Sequence, residues 1–96
     1  MDLEDTLKAK REEIFSITAK HGVRNVRVFG SVVRGEADEE SDVDLLVEPD
    51  PGFTLLDHSA MIRELESLLG RKVDVVSERG LRERIRDRVL REAVPL

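Results

Sequence analysis

The chain has 96 residues, 40% hydrophobic and 39% charged, with no cysteine, two histidines and a formal net charge of −5. That length supports one small core, expected as a single domain over residues 1–96, and regularly spaced apolar residues exclude disorder. Without cysteine there are no disulfides or thiolate sites, and His21 and His58 are too isolated for a zinc cluster, so any metal would be held by oxygen.

No apolar run reaches membrane-spanning length, and the amino terminus MDLEDTLKAK lacks a signal-peptide pattern, so the expectation is a soluble cytoplasmic protein. The net charge argues against general nucleic-acid binding, yet it is unevenly spread. Residues 36–50 carry eight acids and no base, whereas residues 79–91 carry six arginines against two acids.

In chain order, residues 2 to about 21 are predicted as one helix, with Leu3, Leu7, Ile14 and Thr18 at helical spacing and Phe15 alongside. His21-Gly22 ends it, because glycine can take the left-handed conformation that stops a helix. Val23 to Phe29 reads as a strand with Val26 and Val28 on one face and Arg27 on the other. Gly30-Ser31 follows; Ser31 suits an N-cap and Gly35 a helix stop, so Val32-Val33-Arg34 is expected as a single helical turn. Gly35 to Ser41 is an acidic loop.

A second strand runs from Asp42 to Glu48, where period two sends Asp42 and Asp44 to one side and Val43, Leu45 and Val47 to the other. Pro49-Asp50-Pro51-Gly52 is a turn, since two prolines forbid continuation of either element. Thr54 opens a helix, with Asp57 three residues on in a capping-box arrangement. Its expected buried stripe is Leu55, Ile62, Leu65 and Leu69, with His58 facing solvent and Gly70 closing the helix. Lys72 to Ser77 is a third strand with Asp74 and Val76 opposite Val73 and Val75. A last helix, from about Gly80 to Ala93, shows Leu81, Ile85 and Val89 at intervals of four, and Pro95 blocks its extension. The order is helix, strand, short helix, strand, helix, strand, helix: an α+β or α/β unit with a three-stranded sheet. The short polar link between the first two strands suits an antiparallel pair, and the helical crossover to the third permits a parallel one.

The residues with chemistry fall around Val26–Glu48. Two adjacent carboxylates repel unless a cation lies between them, and Asp74 is a third on another strand of the same small sheet. A lone aspartate there would be read as the wet face of an edge strand. Three convergent carboxylates are a usual means of holding two magnesium ions, about 3.5–4 Å apart, for phosphoryl chemistry. Gly30 allows close backbone approach to phosphate, Ser31 can donate its hydroxyl, and Arg34 can reach a phosphate with its planar fork.

Gly30-Ser31, ten intervening residues and Asp42-Val43-Asp44 match the Gly-Ser-x10-Asp-x-Asp signature of the DNA polymerase beta-like nucleotidyltransferase superfamily. The Arg34-Gly35 and Ser41-Asp42 pairs and Asp74 on a later strand agree, and the chain most resembles the minimal nucleotidyltransferases throughout its length. That resemblance implies an α+β fold with a mixed sheet. It also implies transfer of a nucleoside monophosphate, with Asp42 and Asp44 binding both magnesium ions. Asp74 would bind the catalytic ion and help deprotonate the attacking hydroxyl, while Gly30 and Ser31 hold the triphosphate of ATP.

A chain this short leaves no room for an acceptor-binding domain, so the acceptor is expected to be small and loosely held, or to be presented by a partner protein. The minimal group is similar to antitoxins that adenylylate a tyrosine of HEPN ribonuclease toxins encoded by an adjacent gene. The contrasting expectation is a binding module that neutralises such a toxin by stoichiometric contact. The arginine-rich last helix reads either as a solvated face or as a docking surface that could also steer ATP. Direct RNA binding is disfavoured, because three Phe and no Tyr or Trp give no stacking platform.

Overall fold

Four strands, one more than expected, form a mixed sheet in the computed structural model, which describes residues 2–38 and 40–96. They are β1 (Val23–Phe29), β2 (Val43–Pro49), β3 (Val73–Ser77) and β4 (Val94–Pro95), in the order β3-β2-β1-β4. β1 pairs antiparallel with β2 and β4, and β2 pairs parallel with β3 across a helical crossover. The helices are α1 (Leu3–Ala9), α2 (Arg11–Lys20), α3 (Ser31–Arg34), α4 (Leu55–Leu69) and α5 (Glu83–Glu92). The α+β class with a mixed sheet and flanking helices is as expected.

One face of the sheet makes the core. Val28, Leu45 and Val75 lie in register across β1, β2 and β3, and all three are buried. Leu7, Ile14, Met61 and Leu65 cover them from α1, α2 and α4. Each such side chain contributes about 1.5–3 kcal/mol by leaving water, and truncation to alanine costs about 2–5 kcal/mol once the cavity is included.

Several local expectations change. The first helix bends at Lys10 (φ −105°, ψ 14°), dividing α1 from α2, although the Thr6–Lys10 and Lys10–Ile14 backbone bonds continue through the bend. Lys10 Nζ reaches across to donate to the Leu68 carbonyl at 2.9 Å, satisfying the end of α4. In α4 the buried stripe is set by Met61 and Leu65, whereas Leu55, in the first turn, is left uncovered and stands 85% exposed. His58 is turned inward instead of facing solvent, with its Nε2 3.0 Å from the Val75 carbonyl oxygen and its ring edge-on to Phe53. The Thr54–Asp57 capping box and the left-handed Gly70 are as expected.

The last helix starts at Glu83, because residues 78–80 form a 3-10 turn first. α5 closes at Glu92 with Ala93 as its cap, and Pro95 sits in a short edge strand, where a missing N–H is tolerated. Within β1 the register slips between Arg24 and Arg27, and Asn25 takes a left-handed φ of 52°. This bulge explains why Val23 and Val26, three apart, are both buried. Among the described residues no helix is long and apolar enough to cross a membrane.

Candidate active site

The parallel register of β2 and β3 sets Asp44 directly opposite Asp74, and the antiparallel register of β1 sets Phe29 on the other side of Asp44. This row lies on the sheet face away from the main core. Adjacent strands are about 4.8 Å apart, so the two carboxylates are lateral neighbours. Asp42 precedes β2 by one residue, with alternation carrying it to the same side. β3 is an edge strand and Asp74 is exposed, as a solitary aspartate would be; its register beside Asp44 is the added fact.

Charge density marks Asp44. Burial pushes its carboxyl up from 3.8 to about 6, helped by the neighbouring charges of Asp74 and Asp42 and partly opposed by Arg34. The donor set is entirely oxygen, and the Asp74 and Asp42 charges add to the cost of ionising Asp44, which fits a divalent cation held by oxygen. Among the described residues no three acidic or histidine side chains form a finished metal cage as they stand. The acidic loop before Asp42, of which Glu39 lies outside the described residues, is tied down by Arg71. Its Nη1 donates to the Asp38 and Ser41 carbonyls, each at 2.9 Å.

Gly30 joins β1 to α3 with φ 82° and ψ −150°, a conformation that side chains disfavour. A Cβ there would fall on Asp44 Oδ2 and lie 3.2 Å from its Cγ, so the turn and the carboxylate can approach only because residue 30 is glycine. Gly30 is also the N-cap of α3, not Ser31 as expected: its carbonyl accepts from Val33 N–H (3.1 Å) and Arg34 N–H (3.2 Å). Ser31 is the first helical residue, and its side chain makes no capping bond. The helical turn then stops at left-handed Gly35, as expected.

Arg34 is paired within the chain. Its Nη1 donates to Glu92 Oε1 at 2.8 Å and its Nε to Glu36 Oε2 at 3.1 Å. The other Glu92 oxygen accepts from Gly30 N–H at 3.0 Å. Burial works against the Glu92 charge, yet the Arg34 guanidinium and the Gly30 N–H outweigh it and hold this carboxyl below its usual value. Glu92 is the residue that sequence reasoning missed. No spacing announces it, because 62 residues separate it from Gly30. Gly30, Ser31, Arg34, Asp44 and Asp74 thus gather at the ends of β1, β2 and β3, with Asp42 at the margin. The site is an open face; a cleft of about 460 Å³ lined by Leu7, Val28, Val32 and Val94 lies on the core side and holds none of them.

Residues 8–95 match the family model described as a nucleotidyltransferase domain. A curated relative, the protein adenylyltransferase MntA of Thermococcus cleftensis, is 43% identical over 93 residues, covering 97% of this chain and 91% of that protein. Among solved structures, one assigned as a minimal nucleotidyltransferase superposes with a TM-score of 0.87 at 61% identity, covering 100% of this chain and 97% of the other. A toxin–antitoxin crystal structure with AMP-PNP superposes with a TM-score of 0.74 at 20% identity, covering 88% of this chain and 69% of the other.

Proposed function

The chain belongs to the nucleotidyltransferase domain family, and from that premise we propose that it moves AMP from ATP to a tyrosine hydroxyl of a HEPN-type toxin, acting as its antitoxin. The observation that carries this reading is the Asp44–Asp74 register beside the Gly30 turn, which brings two carboxylates and a side-chain-free backbone turn to one place. The named activity of the 43% identical relative and the AMP-PNP in the toxin–antitoxin neighbour support the donor and the kind of acceptor.

In this reading the acceptor oxygen attacks the α-phosphorus of ATP, the bond to the bridging oxygen of the β-phosphate breaks, and pyrophosphate leaves. Asp74, exposed at the sheet edge, can take the proton of the attacking hydroxyl. Gly30 N–H, the Ser31 hydroxyl and the Arg34 guanidinium hold the triphosphate so that the leaving oxygen lies in line. Asp42, Asp44 and Asp74 would hold two magnesium ions, which when bound supply charge stabilisation to the attacking and leaving oxygens. An acceptor on a separate protein fits a catalytic face that is open.

The test is Asp42→Asn, an exposed position where the change keeps the fold. Magnesium-dependent labelling of the co-expressed toxin with AMP should disappear while the circular dichroism spectrum stays unchanged. Labelling at the unsubstituted rate would refute the catalytic reading, and lost labelling with retained protection of cells would make contact the main activity.

A further inference from the structure

Glu92 is held where a phosphate oxygen pair would be held. Its two carboxylate oxygens take one N–H from the Gly30 turn and one from the Arg34 fork, at 3.0 and 2.8 Å. Its side chain is only 15% exposed, in contrast to 63% for Glu36, the other partner of Arg34. A planar anion with two oxygens bridging a backbone N–H and a guanidinium uses the same donor geometry as a phosphate.

The element carrying Glu92 is sparsely anchored. Residues 82–88 of the Arg82-to-Arg88 run are all exposed, Val89 is the buried residue of α5, and Ile85 stands 38% exposed. After Glu92 the chain returns to the sheet through the two residues of β4. A helix with one buried side chain opens at a small fraction of the global unfolding free energy.

We infer that Glu92 is an internal stand-in for phosphate, occupying the Gly30–Arg34 anion position until a polyphosphate displaces it and frees the carboxyl end of α5. The inference rests on the reading of Gly30 and Arg34 as phosphate-holding groups. It adds that nucleotide binding and the position of α5 are coupled: each triphosphate bound releases one glutamate. The chain's apparent affinity for polyphosphate is therefore lowered by the fraction of molecules in which Glu92 is seated. A partner that drew α5 away from the sheet would raise affinity for the donor by the same linkage.

The experiment is titration of the full chain with inorganic tripolyphosphate, without metal, by calorimetry, comparing the unsubstituted protein with Glu92→Gln and Glu92→Ala. Both variants should bind at least about fivefold more tightly, since the competing carboxylate is gone. Hydrogen exchange in residues 83–92 of the unsubstituted chain should rise when tripolyphosphate is added. Glu92→Gln keeps the size of the side chain, so it reports even if the alanine variant folds poorly. Equal or weaker binding by Glu92→Gln would overturn the inference and leave Glu92 as a residue that positions Arg34. Absence of binding by all three proteins would overturn it as well. AMP transfer, assayed separately on the toxin, judges the catalytic reading: tighter tripolyphosphate binding with no transfer in any protein would sink that reading and keep this one.

Discussion

The two halves of the site differ in how their charge is balanced. At the β2–β3 end, Asp42, Asp44 and Asp74 stand together, and burial, helped by the Asp74 and Asp42 charges, drives the Asp44 carboxyl up to about 6. At the Gly30–Arg34 end, the positive donors are already satisfied by Glu92, whose carboxyl is held below its usual value. One half concentrates negative charge, and the other has its N–H and guanidinium paired by a carboxylate from within the chain. The contrast teaches that carboxylates can mark opposite roles on one small face. In the proposed reading, a carboxylate among carboxylates would serve as a metal ligand, and a carboxylate on an N–H and a guanidinium would stand in for substrate phosphate.

Gly30 is the joint between the halves, so breaking it should have the largest effect. Gly30→Ala must hold a side chain at φ 82° and ψ −150° and push it onto Asp44. The expected loss is about 2 kcal/mol or more of stability, lowering the melting temperature by about 10 °C in a domain of this size. Displacement of Asp44 by even an ångström should reduce AMP transfer by about 100-fold or more. Thermal melts and single-turnover labelling check both, and a variant with unchanged melting and transfer would show that the halves are independent.

The acidic half should also be visible in the pH dependence of stability without any metal present. The Asp44 carboxyl titrates near 3.8 unfolded and at about 6 folded, so between those values the folded state binds more protons. Its contribution is therefore fully present below 3.8 and is lost as pH rises through about 6. Melting temperature in EDTA should fall across that window, with Asp74, Asp42 and Glu92 adding to the cost and Arg34 reducing it. Asp44→Asn should flatten the fall and melt higher than the unsubstituted chain at pH 7.5. Magnesium should raise the melting temperature of the unsubstituted chain at pH 7.5 and do little for Asp44→Asn. Parallel pH curves for the two proteins would remove Asp44 as the seat of the repulsion.

The acidic half was legible because its signals are local. Asp42, Val43 and Asp44 alternate within one strand, and period two alone puts two carboxylates on one side. Gly30-Ser31 and Gly35 are turn residues whose backbone demands can be read without a fold, although the cap itself fell one residue earlier than Ser31 suggested. What escaped depends on contacts between distant segments. Lys10 bends the first helix while bonding to Leu68, 58 residues away. Leu55 fits a helical stripe as well as Met61 does, and only tertiary packing decides that Met61 is covered and Leu55 is not. β4 has two residues, too few for any periodicity, and Glu92 is one acid in an arginine-rich run.

The phosphate half offers the smallest test, because Arg34 bonds to two carboxylates of unequal burial. Glu36 is 63% exposed and lies two residues along the chain, where water and salt weaken its attraction to the guanidinium. Glu36→Gln should therefore shift the melting temperature by no more than ~1 °C and leave tripolyphosphate affinity within about a factor of two. Glu92 is anchored on both oxygens, so the same amide substitution there should change affinity clearly. The two variants remove identical charge from the same arginine. They differ in burial and in occupancy of the anion position, and equal effects in calorimetry would mean that Arg34 responds to net charge and that no single carboxylate fills its site.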